Sequence, residues 1–360
     1  MRKIYSVIKS TGSYIPEKVV TNNEFLQNVF YDKDGIKINA ENEAIIEKFV
    51  EITDIHERRH IESGHKTSDL AYFSAKNCLD KTEIDPETLD YIIVAHNFGD
   101  VENNMAQVDV LPSLASRVKE KLGIENPSTI AYDTIFGCPG WVQGVIQADY
   151  YIRSGDAKRA LVIGADVLSR LSDPHDRDSM IYADGAGAVL LEGVESDIPV
   201  GILAHTTRTD SNGHTYNLFM GKSYNNTDEK DELYIKMLGH KIYNYALTTV
   251  PSAIKEGIDK AGLDLDDISK ILIHQANAKM DEAILKRLYR LYGKNKIDES
   301  IMPMTISKLG NSSVATVPTM LDLILNGQME NHKLSAGDVA IFTSVGAGMN
   351  VNAVIYKFPE

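Results

Sequence analysis

The second half of this 360-residue chain repeats the sequence pattern of the first half. Residues 84–94 and 263–273 each form an acidic turn that leads into a continuous apolar run, which is typical of a strand buried on both faces. Two further pairs follow in the same order, with a Gly-Asp or Gly-Ala-Gly step before an apolar strand: 154–164 with 334–342, and 185–187 with 346–348. Three ordered matches indicate a duplicated α/β unit.

Stretches with helical periodicity lie between the repeated strands, at 113–122, 140–153, 281–291 and 317–326. Gly123 and Gly293 follow two of them, as expected for the residue that ends a helix. Helices that alternate with buried strands predict sheets covered by helices on both faces. We therefore predict two α/β halves, residues 1–197 and 198–360. Residues 31–47 and 206–232 are polar and are predicted to be irregular excursions.

Charge and cysteine content exclude several functions. The net charge of −14 disfavours a nucleic-acid-binding protein, which needs a basic surface. The two cysteines cannot form a disulfide framework or a four-cysteine metal site, and the histidines lack metal-ligand spacing. The apolar runs are shorter than the roughly 18 residues of a membrane span, and the N-terminal run is too short for a signal peptide. We expect a cytoplasmic protein without a cofactor, and neither nucleic acid nor membrane as a partner.

Cys138 stands where a strand turns sharply into a helix, in a Gly-Cys-Pro-Gly sequence. Pro139 suits the first helical position because its missing N–H group has no partner there. A thiol at a helix N-terminus is expected to have a lowered pKa and can act as a nucleophile. A structural cysteine is an equally good interpretation of this turn alone. Cys78, within the helical pattern of residues 69–79, is interpreted as a buried structural cysteine.

His274 and Asn311 stand at similar points of the second half. His274 ends the apolar strand 271–273, and open α/β sheets bind ligands at the ends of their strands. Alone, His274 is more readily a hydrogen-bonded loop residue, and Asn311 is more readily a helix N-cap. The duplication, however, puts Cys138 and Asn311 at equivalent strand-to-helix turns. We therefore expect all three side chains in one central site.

Four motifs resemble those of the condensing enzymes of the thiolase fold, and most closely the β-ketoacyl-acyl carrier protein synthases III. These are Gly-Ser-Tyr-Ile-Pro-Glu-Lys-Val-Val-Thr-Asn at 12–22, Asp-Gly-Ala-Gly-Ala at 184–188, His-Gln-Ala-Asn at 274–277 and Gly-Asn-Ser-Ser-Val-Ala-Thr at 310–316. The resemblance implies a five-layered αβαβα arrangement of two duplicated halves. The Phe-Gly-Cys-Pro-Gly-Trp version at 136–141 is similar to Bacteroidetes-type members, some of which act in dialkylresorcinol and aryl-polyene pathways.

The resemblance also implies a role for each candidate residue. Cys138 takes the acyl group as a thioester, while His274 and Asn311 hold the thioester oxygen of malonyl-acyl carrier protein as carbon dioxide leaves. Two preorganised donors are what a developing enolate needs. The backbone N–H groups of Cys138 and Ala347 match the oxyanion hole. The implied reaction is a decarboxylative Claisen condensation that gives a 3-oxoacyl-acyl carrier protein. The family forms homodimers. Residues 160–164, a completely apolar strand that would need a partner at a domain edge, are expected at the interface.

Further residues match the substrate and partner surfaces of the family. The expected substrate pocket contains Leu111, Arg177, Val345 and Gly346, and the expected carrier-protein docking surface contains Lys279, Lys286 and Arg287. Leu111 and Val345 replace bulky phenylalanines, which predicts an altered acyl pocket. Lys48 and Ile52 replace a tryptophan and an arginine that grip coenzyme A. We therefore expect an acyl donor on a carrier protein in preference to acetyl-coenzyme A.

Other functions are consistent with the same three residues. A condensing enzyme could join two acyl chains in dialkylresorcinol-type metabolism, and a cysteine-dependent hydrolase or acyltransferase of acyl thioesters would also use Cys, His and Asn. A thiolase is disfavoured because it needs a second catalytic cysteine, for which Cys78 lacks the turn. A non-catalytic partner subunit is disfavoured because all three residues are retained.

Overall fold

Helices and strands alternate along the residues that the computed structural model describes, 3–102, 107–227 and 231–360. The strands are β1 (Lys3–Tyr14), β2 (Lys18–Thr21), β3 (Glu57–His60), β4 (Tyr91–Ala95), β5 (Asp100–Val101), β6 (Val108–Asp109), β7 (Ile130–Thr134), β8 (Arg159–Val167), β9 (Asp184–Ser196), β10 (Gly201–Thr209), β11 (Leu218–Gly221), β12 (Tyr234–Met237), β13 (Lys270–Ile273), β14 (Val339–Gly346) and β15 (Asn350–Lys357). The helices are α1 (Asn42–Thr53), α2 (Thr67–Leu79), α3 (Leu114–Lys121), α4 (Gly140–Ser154), α5 (Gly239–Ala261), α6 (Ala278–Leu291), α7 (Ile306–Leu309) and α8 (Thr316–Leu325).

Two larger sheets share one topology. The first has the order β1-β9-β8-β4-β7, and the second has the order β10-β15-β14-β13. In each, a parallel pair (β4 with β8, β13 with β14) is followed by two antiparallel pairings. The strands that repeat in the sequence, β4 with β13 and β8 with β14, therefore occupy equivalent places. The predicted duplicated α/β unit is confirmed.

The helices complete five layers. Helices α4 and α8 lie between the two sheets, where Trp141 and Met320 share one core cluster with Val162 of β8 and Phe342 of β14. Helices α2 and α3 cover the outer face of the first sheet, and α5 and α6 cover that of the second. The chain thus has the predicted αβαβα arrangement. Within the described residues, no helix combines the length and the apolar character that crossing a bilayer requires.

The two segments predicted to be irregular contain regular structure. Residues 42–47 belong to α1, which buries Ile45 and Phe49 with Phe30 in a separate core cluster. Residues 206–209 belong to β10, and β11 pairs antiparallel with β12. The prediction failed because each apolar run here is short and is buried by distant parts of the chain. Residues 228–230 of the second segment lie outside the described residues.

The strand expected at the dimer interface is not an edge strand. Residues 160–164 lie in β8, which pairs with β4 on one side and with β9 on the other. The prediction that this strand needs an external partner is therefore wrong, because its apolar character comes from burial between two helical layers. Among the described residues, the first sheet ends at β7, whose Ile130 is 49% exposed.

Candidate active site

One cavity of about 410 Å³ brings the sequence-predicted catalytic residues together. It lies where β7, β13 and β14 end and where the turn before α8 begins. The predicted residues that line it are Cys138, His274, Asn311, Val345, Gly346 and Ala347. Because His274, Asn311 and Gly346 are far from Cys138 in the sequence, the packing of the two duplicated halves creates this arrangement.

Cys138 reaches the cavity from the turn between β7 and α4. Gly137 has a φ of 67°, which favours glycine, and Gly140 begins the helix directly after Pro139. Burial raises the pKa of the Cys138 thiol to about 12, although a hydrogen bond from the Ser313 side chain acts in the opposite direction. The prediction of a lowered pKa is wrong, because the cost of burying a thiolate outweighs the favourable helix N-terminus. Cys138 therefore rests as a thiol at neutral pH.

Cys78 has a different setting. It lies in α2 with no exposed surface and does not line the cavity. Burial raises the pKa of its thiol to about 12 as well. Cys78 therefore has neither the access nor the surroundings of a nucleophile.

The loop after β14 packs directly on the cysteine turn. A Cβ atom on Gly346 would lie 2.5 Å from the backbone nitrogen of Cys138, and one on Gly137 would lie 2.6 Å from the backbone nitrogen of Ala347. Such distances exclude any side chain at either glycine. This close approach brings the backbone N–H groups of Cys138 and Ala347 into one small region, which is the requirement for an oxyanion hole.

His274 is held at the end of β13 in its neutral form. Its backbone N–H donates to the carbonyl oxygen of Thr343 (3.0 Å). The next residue, Gln275, is fully buried and accepts hydrogen bonds from the N–H groups of Thr305 and Ile306. Burial lowers the pKa of His274 to about 4, while the backbone of Ser313 acts in the opposite direction. The imidazole is therefore uncharged at neutral pH and can donate one N–H group.

Asn311 is fixed through both its backbone and its side chain. Its backbone N–H donates to the oxygen of Ile181 (2.9 Å), and its carbonyl accepts from Ala183 (2.8 Å). Its Oδ1 accepts a hydrogen bond from the backbone N–H of Ser313 (2.8 Å). Since the acceptor end of the amide is occupied, the Nδ2 group remains to donate into the cavity.

Much of the cavity wall comes from residues that sequence reasoning missed. The pair β11–β12 supplies Leu218, Phe219, Met220, Ile235 and Met237. These residues lie in or next to the segment predicted to be an irregular polar excursion. The apolar residues of Leu-Phe-Met at 218–220 and Tyr-Ile-Lys-Met at 234–237 were the available signal, but these runs are too short to predict burial. Asn97 and Ser313, which also line the cavity, were not predicted either.

A buried ion-pair cluster attaches β12 to the loop after β8. Lys236 is 1% exposed, and its Nζ lies 2.5 Å from Asp173 Oδ2 and 3.1 Å from Asp176 Oδ2. The same ammonium group lies 3.4 Å from the centre of the Tyr224 ring. The one ammonium group faces two carboxylates, which also accept hydrogen bonds from the backbone N–H groups of Tyr224 and Asp178, so the cluster fixes β12 against the cavity. No group of three or more metal-ligating side chains is present in the described part of the chain.

Other predicted site residues do not line the cavity. Leu111 is 86% exposed, and Arg177 is mostly exposed on a short helical turn beside Asp178. The chain by itself therefore does not bear out these two as pocket residues, because neither side chain is packed against the cavity wall. The predicted docking residues Lys279, Lys286 and Arg287 are exposed on α6.

Comparisons of sequence and of structure with known proteins indicate the same family. Residues 132–211 match the family model described as 3-Oxoacyl-[acyl-carrier-protein (ACP)] synthase III, and residues 258–358 match its C-terminal counterpart. The chain is 31% identical to the beta-ketoacyl-[acyl-carrier-protein] synthase III of Staphylococcus haemolyticus, over 98% of both chains. It is 30% identical to that of Pasteurella multocida, over 99% of this chain and 100% of the relative. The solved structure of the synthase III from Thermus thermophilus superposes with a TM-score of 0.80 at 26% identity, over 98% of this chain and 99% of that one.

Proposed function

This chain belongs to the 3-oxoacyl-[acyl-carrier-protein] synthase III family, and on that basis we propose which residues act in each step of the reaction. The protein is an acyltransferase. It condenses an acyl thioester with malonyl-acyl carrier protein to give a 3-oxoacyl-acyl carrier protein in fatty-acid initiation. One observation carries the assignment of residues: Cys138, His274 and Asn311 line a single cavity. We further propose residues 1–197 and 198–360 as the two halves that meet there.

Cys138 accepts the acyl group in the first step. Its sulfur attacks the carbonyl carbon of the acyl thioester, the donor carbon–sulfur bond breaks, and the donor thiol leaves with the proton that Cys138 loses. The backbone N–H groups of Cys138 and Ala347 stabilise the tetrahedral oxyanion, as the packing of Gly346 on the cysteine turn supports. Because the resting group is a thiol, proton removal accompanies the attack.

His274 and Asn311 act in the second step. The malonyl carboxylate leaves as carbon dioxide, and the electron pair it leaves behind becomes an enolate on the thioester oxygen. The neutral imidazole of His274 and the Nδ2 group of Asn311 donate hydrogen bonds to that oxygen. The enolate carbon then attacks the acyl group on Cys138, and the carbon–sulfur bond to Cys138 breaks. Two preorganised donors stabilise the enolate charge better than water does, because they need no rearrangement.

The apolar wall of the cavity suits the acyl chain. Val345 of β14 and the side chains of β11–β12 form that wall, and Lys236 anchors it. The cavity volume is about 410 Å³, whereas one water occupies about 30 Å³ in the liquid. The cavity therefore has room for an acyl chain longer than acetyl. We propose that Leu111 reaches this pocket only from a second copy of the chain. Arg177, free of the cavity wall, remains available to a bound donor.

The carrier protein is the partner that the acidic enzyme must recruit. Lys279, Lys286 and Arg287 extend along α6, the helix that follows His274. Lys279 lies 3.6 Å from Glu51 of α1, and Lys286 lies 3.5 Å from Glu282. These exposed pairs contribute little to stability, so their cations are available to an acidic carrier surface. We propose α6 as the docking helix for acyl carrier protein.

A homodimer is expected through the outer edge of β7. An open edge presents unpaired backbone groups, and large apolar side chains on or near this edge are exposed: Val108, Val110, Leu111, Ile130 and Ile135. A second copy related by a two-fold axis would pair the edges and cover these side chains. Light scattering should give a dimer at micromolar concentration. Ile130→Lys should weaken the dimer, whereas Ile198→Lys, at an exposed position away from this edge, should not; a monomeric wild type would contradict the model.

Turnover with matched substrates tests the proposed function. Purified protein is supplied with one acyl chain on carrier protein or on coenzyme A, followed by malonyl-carrier protein. The expected product is a 3-oxoacyl-carrier protein together with carbon dioxide, and the carrier-linked donor should give the higher kcat/KM because Lys48 and Ile52 provide no stacking ring or arginine. Release of free fatty acid would indicate a hydrolase, and a product that contains two joined long acyl chains would indicate a dialkylresorcinol-type enzyme.

A further inference from the structure

A buried acidic side chain that the proposed chemistry does not use lies behind the nucleophile. Asp166 is in β8, is 1% exposed and does not itself line the cavity. Its Oδ1 accepts a hydrogen bond from the backbone N–H of Asn97 (2.8 Å), and its Oδ2 accepts one from Asn97 Nδ2 (2.6 Å). A buried carboxylate is unfavourable unless donors satisfy its oxygens. Asp166 and Asn97 therefore hold each other in one arrangement.

Asn97 connects this carboxylate to the turn that carries Asn311. Asn97 Nδ2 also lies 3.0 Å from Ser313 Oγ. Ser313 has a φ of 52°, which is uncommon for a residue other than glycine, and its N–H donates to Asn311 Oδ1. The Ser313 side chain in turn donates a hydrogen bond that favours the thiolate form of Cys138. Ser313 is thus the point at which the carboxylate, the amide donor and the nucleophile are linked.

We infer that Asp166 is a positioning residue for acyl transfer: acting through Asn97, it fixes the Ser313 hydroxyl group against the Cys138 thiol. The inference rests on the proposed role of Cys138 as the acyl acceptor. A fixed hydroxyl group gives the sulfur one orientation toward the donor carbonyl, and misplacement of a reacting group is costly to the rate. The negative charge of Asp166 has a second effect, since it raises the pKa of the Cys138 thiol in addition to burial.

Other ionisable groups surround this carboxylate. His96, which precedes Asn97, favours the charged form of Asp166, and its Nε2 lies 3.0 Å from Asp133 Oδ2. Burial raises the pKa of Asp166, while hydrogen bonds from Asn97 and Ser313 lower it. Ser313 has one hydroxyl proton, which it donates either to this carboxylate or to the Cys138 sulfur. His274 interacts with the backbone of Ser313. A change confined to Asp166 therefore leaves these neighbours in place while it alters charge and hydrogen bonding.

The substitution Asp166→Asn should change two measurements on Cys138. The amide keeps the size of the side chain but places an NH₂ group against donors of Asn97, which releases Ser313. Acylation of Cys138 by an acyl-carrier protein should slow by about tenfold or more. Release of Ser313 also removes the hydrogen bond that favours the thiolate, a larger contribution to the thiol pKa than the charge of Asp166, so the pH profile for alkylation of Cys138 by iodoacetamide should shift to higher pH.

Asp149→Asn is the matched control. Asp149 is also a fully buried aspartate with a raised pKa caused by burial, but it bonds to Ser6 and does not line the cavity. This variant should keep the wild-type acylation rate and alkylation profile. Unchanged acylation or an unshifted profile in Asp166→Asn overturns the inference, as does an equal shift in Asp149→Asn. Failure of wild-type protein to become acylated would instead reject the proposed function.

A double-mutant cycle tests the connection through Ser313. Ser313→Gly removes the hydroxyl group and is compatible with the positive φ. If Asp166 acts through Ser313, the double variant should acylate no more slowly than the slower single variant, whereas independent effects would multiply. Multiplied effects overturn the inference. Should Asp166→Asn not fold, Asn97→Ala, which removes the hydrogen bond to Ser313 Oγ and leaves the carboxylate, takes its place in the cycle.

Discussion

Cys138→Ala is expected to abolish covalent acylation of the protein, whereas Cys78→Ala should be acylated at the wild-type rate. The thiol of Cys138 faces the cavity beside the backbone N–H groups of the cysteine turn and the loop after β14. Cys78 is fully buried in α2. No other side chain of the cavity can form a thioester, so the loss should be complete rather than partial.

Intact-protein mass after incubation with acyl-carrier protein measures this difference, and peptide mapping locates the acyl group. The wild type should gain one acyl group on the peptide that contains Cys138. An acyl group on Cys78, or one that remains in Cys138→Ala, would contradict the assignment.

Because the resting thiol has a pKa of about 12, reaction of Cys138 with iodoacetamide should be slow at neutral pH and accelerate as the pH rises. Rapid alkylation at pH 7 would instead indicate a preformed thiolate.

The sequence predicts the fold and the three candidate residues that share the cavity because both depend on strong local patterns. The apolar runs that became β4 and β13 are continuous, and the turns at Cys138 and Asn311 carry glycine or proline signals. These signals place Cys138 and His274 at strand ends, as predicted. Asn311 instead follows the short helix α7, so the prediction that it stands at a strand-to-helix turn is wrong, and the packing of α8 between the two sheets brings it to the cavity. The family assignment is confirmed by relatives at about 30% identity over nearly the whole chain.

What the sequence does not predict depends on contacts between distant residues. The pairing of Lys236 with Asp173 and Asp176 decides where β12 lies, and neither partner is near Lys236 in the sequence. The neighbours of β8 decide that it is central, although its apolar composition also suits an exposed interface strand. Burial decides the thiol pKa of Cys138, and the local turn alone indicates the opposite direction.

His274→Ala and Asn311→Ala should both be acylated normally but should lose decarboxylation of malonyl-carrier protein. In the proposed mechanism neither side chain takes part in the attack by Cys138, whereas each supplies one of two donors to the enolate oxygen. Removal of one such donor typically reduces kcat by 10²–10³-fold, so a loss on the order of 100-fold or more is expected for each variant. Release of carbon dioxide from the preformed acyl-enzyme separates this step from acylation. Either variant with a wild-type decarboxylation rate would show that its residue is not a donor.

Asn311→Asp makes the test specific to the donated hydrogen bond. The aspartate keeps an oxygen that can accept from the Ser313 N–H, so the turn before α8 is retained, but it replaces the Nδ2 donor by an oxygen. If Asn311 acts through Nδ2, Asn311→Asp should lose at least as much activity as Asn311→Ala, because a carboxylate also repels the enolate. Recovery of activity would mean that Asn311 only supports the turn.

The pKa of His274, lowered to about 4 by burial, adds a pH criterion. The imidazole is neutral above that value and becomes charged only below it, so decarboxylation should show no titration of His274 between pH 5 and 8. A loss of rate centred near pH 6.5 that disappears in His274→Ala would show that the histidine is not held in its neutral form.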